Sequence, residues 1–290
     1  MLRHATAQLL CHDNDYYLID CGEGTQVQLL RYKFRPGRLK YIFISHLHGD
    51  HYFGLIGLLT SLSLAQRHDD LWLYGPPGLG EIITLQLKYS ASRLSYLLHF
   101  QEIETGKAYP ILDNPALTVE AIPLRHRIHT SGYLFREKPQ PRKLIKELLP
   151  PDLPHPVLHQ LKEGHDATLP DGRVLTSEAY TRPASAPRSY AFCSDTLYHE
   201  ELAERVQGVD LLYHETTFLH ELHERAAQTF HSTARQAAQL ARLAGVGRLL
   251  IGHYSSRYKD LTPLLDEAQS VFPATILAVE GETIAVRAGS

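Results

Sequence analysis

A chain of 290 residues with 43% hydrophobic and 21% charged side chains can bury a substantial core, which excludes a fibrous or wholly disordered protein. No apolar run is long enough to cross a bilayer and no signal-peptide pattern opens the chain, so a cytoplasmic protein with no membrane partner is expected. A net charge of −3 does not announce a nucleic-acid binder; such a partner would have to be met by local patches.

In chain order, short apolar runs bounded by turns predict strands over residues 16–20, 41–44, 71–74 and 117–124. Helical periodicity predicts helices over 54–66 and 79–90. The alternation resumes with a strand at 190–193, a helix at 197–206 and a strand at 210–213. A helix over 232–244 is closed by Gly245, followed by a strand at 248–252, a helix at 261–271 and strands near 275–279 and 283–287. This mixture predicts helices layered on sheet, and no solenoid repeat is visible.

Residues 136–188 break the rhythm. Nine prolines punctuate the segment, and only 143–149 shows periodicity. So long an irregular stretch inside a compact domain predicts a projecting arm or functional insertion. Leu158, Leu161, Leu169 and Val174 give it something to pack. Two runs are basic: 31–40 holds five cations and no acid, and 136–146 holds five cations and one acid. Cys11, Cys21 and Cys193 lack paired zinc spacing; they read as small buried residues of a reducing compartment.

Histidine, present 18 times, matters by position. His46, His48, Asp50 and His51 follow a strand directly, with Gly49 allowing the turn. Three imidazoles and a carboxylate there can converge on a cation, and a donor set without thiolate suits zinc, with manganese or iron possible. This cluster alone cannot close two coordination shells. His126, Asp195 and His253 each stand just past another predicted strand, the place where further ligands belong.

SHLHGDH, with Asp20-Cys21-Gly22-Glu23-Gly24-Thr25-Gln26 upstream, resembles the metallo-β-lactamase superfamily. The resemblance narrows to the ribonuclease Z family, endonucleases that mature the 3′ end of transfer RNA. The narrowing rests on Leu124-Arg125-His126 with Gly132-Tyr133, Ser194-Asp195-Thr196, His214-Glu215-Thr216-Thr217, His231-Ser232-Thr233 and HYSSRY around His253, in order along the chain.

The resemblance implies an α/β (α+β) fold: one domain over 1–290, built as a four-layer αβ/βα sandwich, with 136–188 as an inserted exosite arm. It implies two zinc ions per subunit, one on His46, His48 and His126, one on Asp50, His51 and His253, with Asp195 between them and Asp20 orienting ligands from behind. It assigns catalytic roles to Asp50 as proton acceptor, His231 as general acid and Glu215 as the carboxylate that orients it. It further implies a precursor transfer RNA substrate and products with a 3′-hydroxyl on the transfer RNA and a 5′-phosphate on the trailer. Arg142, Lys143 and Lys146 would grip phosphates on the arm, and a homodimer would let one subunit's arm serve its partner's site.

The chain begins near the segment matching Arg3-His4-Ala5, downstream of the strand and glycine loop that open the family. Pro154-His155-Pro156 stands where the arm's Gly-Pro motif belongs. Two rival readings share the motif: a phosphodiesterase or arylsulfatase-like hydrolase of small esters, needing no arm, and an RNA-binding protein that keeps its metals structurally. His231 and Glu215 argue against the second.

Overall fold

A computed structural model describes residues 3–104 and 106–288. The first half runs β1 (Gln8–His12), β2 (Asp15–Ile19), α1 (Thr25–Arg31), β3 (Leu39–Phe43), α2 (Gly49–Tyr52), α3 (Leu55–Leu64), β4 (Leu71–Gly75), α4 (Leu79–Tyr89), β5 (Leu98–Glu102), β6 (Tyr109–Asp113), β7 (Leu117–Pro123) and β8 (Ser131–Glu137). The segment expected as an arm follows, with β9 (Lys143–Leu144), α5 (His155–Lys162), β10 (Ala167–Thr168), β11 (Val174–Leu175), α6 (Ser177–Tyr180) and β12 (Thr181–Arg182). The chain then returns through β13 (Ser189–Cys193), α7 (Glu201–Arg205), β14 (Leu211–Glu215), α8 (His223–Thr229), α9 (Ala234–Ala244), β15 (Arg248–Gly252), α10 (Thr262–Gln269) and β16 (Thr275–Leu277).

Two sheets organise these elements. One has the order β1-β2-β3-β4-β5, the other β16-β15-β14-β13-β8-β7-β6. Their facing sides interdigitate in an aromatic core that includes Tyr17, Phe43, Tyr74, Tyr133, Phe135, Phe192 and Tyr213. Phe43 stacks on Tyr74 with ring centroids 4.9 Å apart, and Phe192 on Tyr213 at 5.0 Å. The outer side of the first sheet is covered by α3 and α4, that of the second by α7, α9 and α10. This is the four-layer sandwich the resemblance implies. Each fully buried large side chain in these layers contributes roughly 1.5–3 kcal/mol of transfer free energy.

Helix α9 shows how the sequence fixes one outer layer. Thr233 caps it, accepting from Gln236 N while the Gln236 side chain accepts from Thr233 N, a reciprocal box worth about 1 kcal/mol. Gly245 ends it in the left-handed region at φ 61°, where a Cβ would cost energy. Ala234, Ala237, Ala238, Ala241 and Ala244 form the buried stripe with Leu240, and side chains this small let the helix lie close to the sheet.

Residues 136–188 are not irregular: they carry short elements of their own. Leu161, Ala167, Leu169 and Leu175 form their own small core, with Leu144, Leu149, Leu153, Val157 and Tyr180 packed around it. Ser177 Oγ donates to the Leu161 carbonyl (2.7 Å), and Arg142 N to the Lys162 carbonyl (2.8 Å). At the stem, Glu137 N donates to the Arg188 carbonyl, and the Arg188 guanidinium grips the Glu137 carboxylate.

Several expectations need correction. Val174 is exposed and Leu175 takes the inward place, because the β10–β11 hairpin alternates its faces. Residues 143–149 form β9 and a 3₁₀ turn instead of one periodic element, since Ile145 N pairs with the Tyr180 carbonyl. The helix expected over 197–206 is confined to α7: Thr196 N is engaged by Glu215 and Leu197 N by the Arg125 carbonyl. Residues 283–287 form no strand; Ile284 and Val286 pack against the inter-sheet core without joining a ladder. Cys21 and Cys193 are buried as expected, but Cys11 is exposed on β1, at the edge of its sheet. Within the first basic run, Arg38 donates to the Asn14 carbonyl (2.7 Å) and lies over the Tyr16 ring, and Lys40 pairs with Asp15 (2.8 Å). Those cations are structural.

Candidate metal centre

Strand ends bring the site together. His46 to His51 follow β3, His126 follows β7, Asp195 follows β13, Thr217 follows β14 and His253 follows β15. Parallel strands bonded side by side align their carboxyl ends along one rim, so residues far apart in sequence meet there.

The ligand-type atoms of His46, His48, His126 and Asp195 lie within 4.8 Å of one another, and so do those of Asp50, His51 and His253. Asp195 stands between the groups. Its Oδ2 lies 3.6 Å from His46 Nε2 and 3.8 Å from His126 Nε2, while Oδ1 lies 3.5 Å from His51 Nε2 and 3.2 Å from His253 Nε2. Asp195, His231 and His253 form a third grouping that is equally close. His231 Nδ1, however, donates to Glu215 Oε1 at 2.9 Å, so we read this residue as oriented by the carboxylate rather than as a ligand.

Behind these side chains, hydrogen bonds fix which nitrogen faces inward. His51 Nδ1 donates to Asp20 Oδ2 (2.7 Å), and His126 Nδ1 to the Phe230 carbonyl (2.9 Å). Ser45 Oγ donates to Asp20 Oδ2 (3.0 Å) and accepts from His46 Nδ1 (3.0 Å). Asp20 thus bonds His51 and Ser45 from behind the cluster; the Ser45 and Phe230 contributions were not legible in the motifs. Asp20, Phe230 and His253 adopt left-handed backbone at φ 60°, 58° and 58°. Such a conformation costs a non-glycine residue about 1–2 kcal/mol.

Close backbone approach needs two glycines. A Cβ on Gly22 would lie 2.3 Å from the Asp50 carbonyl oxygen, and one on Gly54 2.1 Å from that of Gly22. The loop can therefore press on the start of α2, where Cys21 N donates to the His51 carbonyl (2.7 Å). Gly49 differs from expectation: its backbone is not left-handed, and its lack of a side chain makes room for the Phe53 ring.

Charge completes the picture. Burial, then the neighbouring His51, pushes the His46 imidazole down to about 2, and burial lowers His48 and His126 as well. These three present neutral lone pairs. Burial also opposes charge on His253, yet Asp195 and the Asp50 hydrogen bond carry it up to about 9. Asp50 and Asp195 are held below the usual carboxylate range: burial opposes ionisation, but contacts with His253 and His51 outweigh it. The carboxylates thus attract positive charge that a cation can supply in place of protons. Among the described residues, the buried His51 Nε2 makes no hydrogen bond; the Asp195 Oδ1 atom lies at 3.5 Å. An orphaned ring nitrogen within a nitrogen and oxygen donor set fits a divalent metal ion.

His231 stands beside the centre. Burial lowers its affinity for a proton, but the hydrogen bond and charge of Glu215 more than offset this, and the ring is raised above its ordinary value. Glu215 is fully buried and also accepts from Thr196 N (3.2 Å) and Ser232 N (2.9 Å). Arg142, Lys143 and Lys146 lie within residues 136–188 and take no part in the cluster. Lys143 and Lys146 are exposed, whereas the half-buried Arg142 donates through Nε to Thr181 Oγ1 (2.6 Å). No helix among the described residues is long and apolar enough to cross a membrane.

Comparison with known proteins agrees with this geometry. Residues 2–166 match the metallo-β-lactamase superfamily. Ribonuclease Z of Cytophaga hutchinsonii is 50% identical over 286 residues, covering 98% of this chain and 91% of that protein. Ribonuclease Z of Phocaeicola vulgatus is 45% identical, covering 98% and 93%. The crystal structure of human tRNase Z, short form, superposes with a TM-score of 0.70 at 26% identity, covering 98% of this chain and 93% of that one. The chain belongs to the ribonuclease Z family, within the metallo-β-lactamase superfamily.

Proposed function

We propose that this protein is a metal-dependent endoribonuclease that removes the 3′ trailer from precursor transfer RNA, leaving a 3′-hydroxyl on the transfer RNA and a 5′-phosphate on the trailer. The observation that carries the reading is Asp195, one carboxylate placed between two histidine groups, with the His231–Glu215 pair alongside, in a ribonuclease Z chain. Zinc is the proposed ion, two per subunit. His46, His48, His126 and Asp195 Oδ2 would hold one; Asp50, His51, His253 and Asp195 Oδ1 would hold the other. Bound there, such ions acidify a water and stabilise charge on a phosphodiester oxygen.

The protein's own groups then manage protons and position. Asp50, half exposed at the mouth, accepts the proton of the attacking water. His231 Nδ1 is committed to Glu215, while no hydrogen bond among the described residues engages Nε2. From Nε2 the ring hands a proton to the ribose 3′-oxygen as its bond to phosphorus breaks. The arm grips transfer-RNA phosphates, and in a homodimer the arm of one subunit serves its partner's site. A cytoplasmic location completes the proposal.

The arm provides the test. Replacing residues 138–182 by a short Gly/Ser bridge leaves every proposed ligand in place, so hydrolysis of bis(p-nitrophenyl) phosphate should survive. Cleavage of precursor transfer RNA should fall, mainly through weaker binding. Neutralising Lys143 and Lys146 is the finer variant, because it spares the Arg142 bond to Thr181. It should lower the salt slope of RNA binding by about 0.7–0.9 for each phosphate that is no longer neutralised. An arm-deleted protein that processes precursor transfer RNA as well as the intact one would favour a small-ester hydrolase.

A further inference from the structure

We propose that Thr217 is a positioning residue whose hydroxyl couples the Glu215–His231 pair to the proposed metal ligand His253. The inference rests on the two-ion reading above and assigns a role to a side chain that neither coordinates nor reacts in it.

The hydroxyl stands among competing partners. Thr217 Oγ1 lies 2.8 Å from Glu215 Oε2, 3.1 Å from the His253 carbonyl oxygen, 3.2 Å from His253 Nδ1 and 3.3 Å from His231 Nδ1. A threonine hydroxyl has a single proton to give. The shortest contact is to a buried carboxylate, and charge-assisted hydrogen bonds are the strong ones, so the proton goes to Glu215 Oε2. Thr217 N donates to the same oxygen at 3.0 Å, which locks the geometry.

With its proton so placed, Oγ1 is an acceptor toward His253. His253 Nδ1 must then be the protonated nitrogen, which leaves the Nε2 lone pair facing Asp195 Oδ1 at 3.2 Å and Asp50 Oδ2 at 3.5 Å. Glu215 Oε1 meanwhile takes the His231 Nδ1 proton. One carboxylate therefore orients two histidines, His231 directly and His253 through the threonine hydroxyl. Orienting carboxylates behind metal-bound histidines are common, and losing such a partner weakens metal affinity by about 10–100-fold.

Thr217→Val keeps the shape and removes the hydroxyl; Thr217→Ser keeps the hydroxyl. Zinc affinity of each protein is measured by competition against a graded chelator, with stoichiometry by elemental analysis and folding checked by thermal melting. Thr217→Val is expected to bind one of the two ions, the one His253 would hold, about 10–100-fold less tightly while retaining the other. Thr217→Ser is expected to restore the lost affinity. If Thr217→Val fails to fold, the serine variant decides: a loss of affinity despite its hydroxyl overturns the proposal, and retention supports it. A folded valine variant with wild-type affinity for both ions overturns it too. A wild-type protein holding one ion would instead sink the two-ion reading, and the Thr217 role with it.

Discussion

Asp195→Ala is expected to lower zinc content from about two ions per chain at both sites together, rather than at one. The two oxygens of this carboxylate face different histidine groups, so one deletion removes a ligand from each. The residue is also buried, and among the described residues no other carboxylate lies within 4 Å of histidine nitrogens from both groups. Cleavage of precursor transfer RNA should fall at least about 10³-fold, the rate equivalent of the several kcal/mol that metal ions supply to charge stabilisation. Elemental analysis beside single-turnover cleavage checks both parts. Wild-type zinc content in the variant would remove Asp195 from its shared position.

His231→Ala should separate chemistry from metal binding. The alanine variant keeps every proposed ligand, so zinc content should be unchanged. Cleavage of precursor transfer RNA should slow by roughly 10²–10⁴, the usual contribution of a positioned acid. The substrate sharpens the test. A p-nitrophenolate leaves without needing a proton, so hydrolysis of bis(p-nitrophenyl) phosphate should be slowed far less than cleavage of RNA, whose ribose 3′-oxygen is a poor leaving group. Equal losses on both substrates would mean that His231 acts on metal or water. Loss of zinc would mean that it belongs to the third grouping, as a ligand.

The site was more legible in the sequence than the elements around it. His46, His48, Asp50, His51, His126, Asp195 and His253 are chemically distinctive and stand past strands that apolar runs disclose, so their meeting could be anticipated. Ser45 and Thr217 stand inside the quoted motifs, but their bonding, like that of the Phe230 carbonyl, could not be read there. Serine, threonine and backbone oxygens are everywhere, and only the fold shows which of them a histidine ring reaches. The same limit explains the misplaced elements. Residues 197–199 carry a helical pattern, yet Leu197 N is taken by a carbonyl that is remote in sequence. Ile284 and Val286 alternate like a strand but use that alternation for packing alone. The prolines of 136–188 suggested irregularity because the small core around Leu161 and Leu175 is assembled from non-adjacent pieces.

The central claim meets its most direct test when purified protein is incubated with a 3′-extended precursor transfer RNA, with and without a chelator, and both product ends are analysed. The expected result is one cut at the trailer junction, a 3′-hydroxyl on the transfer RNA and a 5′-phosphate on the trailer, abolished by the chelator and restored by zinc. Cleavage that persists in chelator, or no cleavage of the RNA by zinc-loaded protein that still hydrolyses bis(p-nitrophenyl) phosphate, would contradict it.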